Sequence, residues 1–154
     1  MAVVERTSSL EASPTEVWAV LSDFAGISRW APNVDHSSLM TEQGSGVGAV
    51  RRIQAGGTTV LETVERWEPG VGLSYEITGL PPVIKRLTNT WRLEADGGVT
   101  TVSITTDIST GSRPPQKVVA KVVGRKLGEA SDEMLTGLAE AVVAAQGAGE
   151  RSVV

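Results

Sequence analysis

A single helical stripe closes this chain, and it follows an unbroken series of strand-like segments. From Pro114 to Ala145 the apolar residues Val119, Val123, Leu127, Met134, Leu138 and Val142 recur at helical spacing. Between Gly46 and Thr110 the pattern alternates as β-strands do. A helix of about 30 residues is roughly 45 Å long, whereas strands of this size reach about 30 Å. The sheet must therefore curl diagonally around the helix, or the helix must overhang or bend. A sheet curled around one helix rarely fills the space between them, so the pattern predicts a hollow protein. Gly124, Gly128 and Gly137 lie within the stripe. Each costs about 1 kcal/mol against Ala, which points to close helix–strand packing or a bend, with room for a ligand as the alternative.

The rest of the chain supplies the sheet. Val3–Glu11 reads as a first strand. Ser13-Pro14-Thr15-Glu16 then carries the marks of a helix start: a capping Ser, a first-turn Pro and a Glu that can reach back. Val17, Trp18, Val20, Leu21 and Phe24 give that helix its buried face, and a second short turn runs to Trp30 before Pro32. Strands are expected over Val34–Thr41, Gly48–Ala55, Thr58–Glu68, Gly72–Thr78, Leu87–Ala95 and Val99–Ser109. Turn residues separate them at hairpin distances, among them Gly56-Gly57, Pro69-Gly70 and Asp96-Gly97-Gly98. The expected class is α+β: a curved antiparallel sheet of six to seven strands around a long C-terminal helix, with two short helices after the first strand. A single domain over residues 1–146 and a flexible tail over 147–154 complete the expectation.

Composition narrows the partners. The chain has 154 residues and a formal net charge of -4, which argues against nucleic acid or an anionic membrane as partner. With no cysteine there is no disulfide, no thiol nucleophile and no zinc–thiolate site. His36 is the only histidine, so a metal site would have to be all oxygen, and no ligand spacing for one is present. No metal and no cofactor are expected. No apolar stretch is long enough for stable membrane insertion and the N-terminus lacks a leader pattern, so a cytoplasmic location is the expectation.

Several segments resemble one superfamily: Ala12-Ser13-Pro14-Thr15-Glu16-Val17-Trp18, Ser28-Arg29-Trp30-Ala31-Pro32, Glu62-Thr63-Val64-Glu65-Arg66-Trp67-Glu68-Pro69, Leu73-Ser74-Tyr75-Glu76-Ile77 and Thr90-Trp91-Arg92-Leu93. In this order the chain resembles the helix-grip (START-like, SRPBCC) superfamily, and within it the bacterial polyketide cyclase/dehydrase branch. The resemblance implies a deep, mostly apolar cavity between sheet and long helix. It implies a small hydrophobic partner. A monomer or a homodimer is the expectation, with the choice between them left open. The function it implies is a polyketide cyclase/aromatase-like enzyme of secondary metabolism. The alternative is a non-catalytic carrier for a lipid, isoprenoid or aromatic metabolite, and a protein-interaction module is a third reading.

Alternation picks the cavity face, because successive strand side chains point to opposite sides. Leu73, Tyr75 and Ile77 share an apolar face, as do Leu87, Asn89, Trp91 and Leu93, and Val102, Ile104 and Ile108. Ile53 brings Arg51 to the same side. Thr58–Glu68 is ambiguous: Val60, Glu62 and Val64 occupy one face, Leu61, Thr63, Glu65 and Trp67 the other. The superfamily that the chain resembles includes the plant abscisic-acid receptors, and the resemblance to them implies that Glu62 looks inward. A carboxylate there needs a partner or a proton. It can pair with Arg51, hold a ligand's polar group, or act as general acid or base; facing solvent is the remaining reading. Tyr75 and His36 are the other candidate catalytic groups, His36 for its pKa near neutrality. Ligand-lining candidates are Arg51, Ile53, Val60, Val64, Ile77, Asn89, Trp91, Val102 and Ile104, with Leu127, Met134 and Leu138 from the helix. Two loops, carrying Gly56-Gly57 and Pro82-Val83-Ile84, are expected to form the mouth.

Overall fold

The computed structural model describes residues 2–110 and 114–153, with side chains left aside at 114–120 and 149–153. Strand β1 (Ala2–Leu10) leads to helix α1 (Pro14–Leu21) and a short 3₁₀ helix (Phe24–Arg29). Six strands follow: β2 (His36–Leu39), β3 (Val50–Ala55), β4 (Thr58–Glu68), β5 (Gly72–Thr78), β6 (Arg86–Asp96) and β7 (Val99–Ser109). Helix α2 (Pro114–Val153) closes the chain. The sheet order is β1-β7-β6-β5-β4-β3-β2, and every neighbouring pair is antiparallel. This is the helix-grip arrangement that the sequence predicts. The expected tail over 147–154 is helical backbone as far as Val153, and Val154 lies outside the described residues.

Local chemistry accounts for the helix start. Ser13 Oγ accepts from the Glu16 backbone N–H, and a Glu16 side-chain oxygen accepts from the Ser13 N–H, a full capping box with Pro14 in the first turn. Hydrogen bonds to the Ser13 N–H and to Gln146 hold the Glu16 carboxyl below its ordinary pKa. Gln146 also donates to the Glu11 carbonyl, so the far half of α2 is tied to the β1–α1 junction.

Three glycines of α2 mark where it packs closely on the rest of the fold. A Cβ on Gly124 would meet Val4 at 3.3 Å, and one on Gly128 would meet Arg6 at 2.6 Å. A Cβ on Gly137 would collide with the Trp30 carbonyl oxygen and lie 2.8 Å from Pro32. Close packing is thus the reason for all three, and none of them opens a cavity. Helix and strand run in step: four residues along α2 carry the contact from Val4 and Ile108 to Val4 and Arg6. In strand β4 a bulge between Val64 and Arg66 settles the ambiguous pattern. Val60, Glu62 and Val64 face inward before it, and Trp67, opposite buried Leu73, is turned inward after it.

Gly137→Ala is expected to destabilise the fold by about 1–3 kcal/mol, despite a helix-propensity gain of about 1 kcal/mol. Gly147, with nothing within 4 Å of its Cβ position, is the control: Gly147→Ala should be neutral or stabilising. Urea unfolding of both variants checks the contrast.

Candidate functional site

The inner face of the sheet carries one connected polar row. Arg51 and Glu62 are directly opposite on β3 and β4, and Arg51 Nε donates to Glu62 Oε1 at 2.7 Å. Their side chains are 3% and 8% exposed, so this is a buried ion pair. Arg51 Nη1 donates to the Phe24 carbonyl at 2.8 Å. The guanidinium lies 3.8 Å from the Phe24 ring centre and 4.7 Å from that of Tyr75. It is therefore neutralised in the sheet plane and covered by aromatic faces above and beside it, the environment a planar, weakly hydrated cation tolerates best.

The row continues across the sheet. Tyr75 is opposite Asn89, and Asn89 is opposite Thr106. Thr106 Oγ1 donates to Asn89 Oδ1 at 2.6 Å, which directs the Asn89 amide nitrogen to the Tyr75 hydroxyl at 3.3 Å. Trp91 Nε1 donates to the same hydroxyl at 3.2 Å. With two donors aimed at its oxygen, the Tyr75 O–H is left to donate. Burial, and then the negative charge of Glu62, push the Tyr75 phenol above its ordinary pKa, so it stays neutral.

The 3₁₀ helix lies over this row. Phe24 packs against Arg51, edge-on to Tyr75 and Trp67, while Trp30 stands edge-on to Trp91 at 6.0 Å. Trp30 Nε1 and Asn33 Oδ1 are buried without a hydrogen-bond partner. These aromatic side chains occupy space that the sequence pattern assigns to a cavity. A depression of about 280 Å³ lies on the outer face of the sheet, among Glu5, Arg66, Arg92 and Thr105.

Most of the expected lining residues share the inner face. Ile53, Val64, Asn89, Trp91, Val102, Ile104, Met134 and Leu138 are buried. Val60, Ile77 and Leu127 are half-buried, nearer the end where the β3–β4 hairpin and the β5–β6 loop lie. At that end Gly56 and Gly57 are exposed, as is Pro82, while Val83 and Ile84 are half-buried. His36 is corrected: it is exposed on edge strand β2, opposite Gln54, whereas Ser37 faces Ile53. The one-residue offset puts His36 on the outer side, away from Glu62 and Tyr75. Its neighbour Asp35 accepts from the Gly56 N–H at 2.7 Å and so holds the β3–β4 hairpin. Three residues of the site were missed by sequence reasoning. Thr106 shares the parity of Ile104 and Ile108 and could have been found that way. Phe24 and Trp30 carry no signal in sequence for which strand residues they cover.

With this geometry in hand, comparison with known proteins is informative. A family model described as polyketide cyclase / dehydrase and lipid transport matches residues 1–143. The chain belongs to that family. Among solved structures, it is similar to a protein from Thermobifida fusca at 24% identity and a TM-score of 0.77, covering 92% of this chain and 93% of that one. It is also similar to the Zhui aromatase/cyclase from Streptomyces sp. R1128, at 24% identity and a TM-score of 0.65, over 99% and 96% of the two chains. A START superfamily protein from Mycobacterium smegmatis shares 15% identity at a TM-score of 0.68, over 91% and 96%. At these identities the likeness is one of fold. No curated protein matches the sequence. Among the described residues no cluster of potential metal ligands occurs, and no helix is long and apolar enough to cross a membrane.

Two outcomes follow from the polar row. Glu62→Ala should cost about 3–5 kcal/mol, because it strands a buried guanidinium, while the double variant Arg51→Met/Glu62→Leu should retain far more stability; chemical unfolding of the three proteins decides. Tyr75 is the only tyrosine, so phenolate absorbance reports on it alone. Its folded pKa lies above the ordinary 10.0, so its contribution to stability is full below about pH 10 and is lost as pH rises further, the unfolded chain giving up its proton first. Phenolate absorbance should therefore appear only together with loss of circular dichroism.

Proposed function

We propose that this protein binds a small, largely hydrophobic molecule bearing a carbonyl or hydroxyl oxygen against the inner face of the sheet, with that oxygen accepting from the Tyr75 O–H. The observation that carries this reading is the directed chain Thr106–Asn89–Tyr75, joined by Trp91. It fixes a neutral hydroxyl as a donor among apolar side chains, the placement of a few polar groups in an apolar site that gives small-molecule specificity. The unpartnered Trp30 Nε1 and Asn33 Oδ1 supply a second donor and acceptor for a ligand or an ordered water. Entry requires Phe24 or Trp30 to move from the row they cover.

Binding is favoured over catalysis by the state of the charges. Glu62 is committed to Arg51, and His36 is on the outer side, which leaves no free base beside Tyr75 among the residues named. A cyclase-type activity is the second reading, and two things favour it: the family's description, and a buried phenol that could stabilise an enolising carbonyl as hydrogen-bond donor. In that case the shape of the site folds the substrate, and Tyr75 acts on one carbonyl.

Titration with aromatic ketones and their deoxy analogues tests the proposal. The ketone should bind roughly tenfold more tightly, the worth of one buried hydrogen bond, and Tyr75→Phe should erase that preference. A ketone preference that survives Tyr75→Phe would remove Tyr75 from the site. Native mass spectrometry of the protein from its own host would show which molecule travels with it.

A further inference from the structure

The net charge of -4 hides two halves of opposite sign in one helix. Within α2, residues 114–128 contain Lys117, Lys121, Arg125 and Lys126 and no carboxylate. Residues 129–153 contain Glu129, Asp132, Glu133, Glu140 and Glu150 against the single cation Arg151. A helix dipole favours the reverse order, with carboxylates in the first turn, and the first turn of α2 has none. Helix stability therefore does not explain the arrangement, and these exposed cations are open to an external counter-charge.

Their placement shows where that charge would come from. Gly124 of α2 packs on Val4 and Ile108, and Ile108 pairs with Ala2 at the end of β1 and β7. From Gly124 to Gly128 the contact moves inward to Arg6. The turns before Gly124 therefore run outward, and the ten residues back to Pro114 extend about 15 Å beyond that contact. At this same end the β5–β6 loop is tied to β7, the Lys85 N–H donating to the Ser109 carbonyl at 2.7 Å.

The side chains here are basic and apolar together. Lys85, Lys121, Arg125 and Lys126 are exposed and form no ion pair among the described residues. Val122 sits between them, 51% exposed, and Val83, Ile84, Val123 and Leu127 are half-buried. Of the carboxylates near this end, Glu65 and Glu76 are held by Arg86 and Asp35 accepts from the Gly56 N–H, while Asp107 and Glu129 have no partner among the described residues.

We propose that this end of the molecule, the overhanging start of α2 with the β5–β6 loop, docks on an anionic lipid surface. Interleaved cations and aliphatic side chains match a headgroup layer, where Lys and Arg meet the anionic groups and valines enter the acyl boundary. A single-stranded nucleic acid would call for stacking aromatics as well as cations, and none of the side chains named at this end is aromatic, whereas exposed Val122 suits an acyl boundary. Docking leaves the acidic half of α2 pointing away from the surface, which sets the orientation. The two loops expected to form a ligand mouth then face the lipid. This docking stands apart from the ligand reading and would survive its failure.

Co-sedimentation with vesicles tests the proposal. The full-length protein should bind phosphatidylglycerol–phosphatidylcholine vesicles, bind pure phosphatidylcholine far less, and release with added salt. Each cation should contribute about fivefold to the partition coefficient, so Lys121→Ala/Arg125→Ala/Lys126→Ala should lose roughly 100-fold. Val122→Asp should also weaken binding, and Arg92→Ala, at a cation on the outer sheet face without an ion-pair partner among the described residues, should not. Circular dichroism establishes that the variants are folded. Equal binding to both vesicle types, or no binding to either, overturns the proposal. So does tight binding to polyglutamate or a short RNA that Val122→Asp leaves unchanged, since that would identify a soluble polyanion as the partner.

Discussion

The buried pair of Arg51 and Glu62 is the constraint on which the inner face depends. Two ions taken out of water are tolerable only when they meet each other and further polar or aromatic neighbours. Here the neighbours come from across the fold: the Phe24 carbonyl and ring from the 3₁₀ helix, and the Tyr75 ring from β5. The pair thereby fixes the register of β3 on β4 and the seat of the 3₁₀ helix over both. Burial raises the Tyr75 pKa, with Glu62 adding to it and Arg51 opposing, so the phenol between them stays a donor. One electrostatic requirement thus reaches from sheet register to the chemistry that a ligand would meet.

Helix α2 answers a different constraint, close approach. Gly124, Gly128 and Gly137 remove side chains where the helix crosses Val4, Arg6 and the Trp30 carbonyl. The crossing at Gly137 matters most for the site, because it presses the helix onto the Trp30–Pro32 segment, and Trp30 in turn stands against Trp91. The helix therefore positions an aromatic cover and contributes apolar wall through Met134 and Leu138. On the N-terminal side of Gly124 it leaves the sheet, and Lys121, Arg125 and Lys126, exposed around that point, form no ion pair among the described residues.

Much of this was legible in the chain. The capping box at Ser13, the hairpin turns and the alternation in β5, β6 and β7 fix the elements within a residue or two, because these signals are local. Arg51, Tyr75, Asn89 and Trp91 follow from parity alone. Glu62 did not: its strand reads equally well on either face, since the bulge at Val64 and Arg66 brings Trp67 to the inner side against the strand's alternation. His36 failed for the opposite reason. A four-residue edge strand offers too few positions for alternation to choose a side.

By itself, then, the sequence determined the α+β class, the long helix over an antiparallel sheet and the apolar parity of most strands. Those properties are written in spacing along the chain. Tertiary structure alone decided what fills the space beneath the helix, because Phe24 and Trp30 reach the polar row from a segment distant in sequence. It also decided that the Tyr75 hydroxyl accepts from Asn89 and Trp91, and that the basic start of α2 projects past the sheet. Each of these depends on distances between elements, which no periodicity encodes.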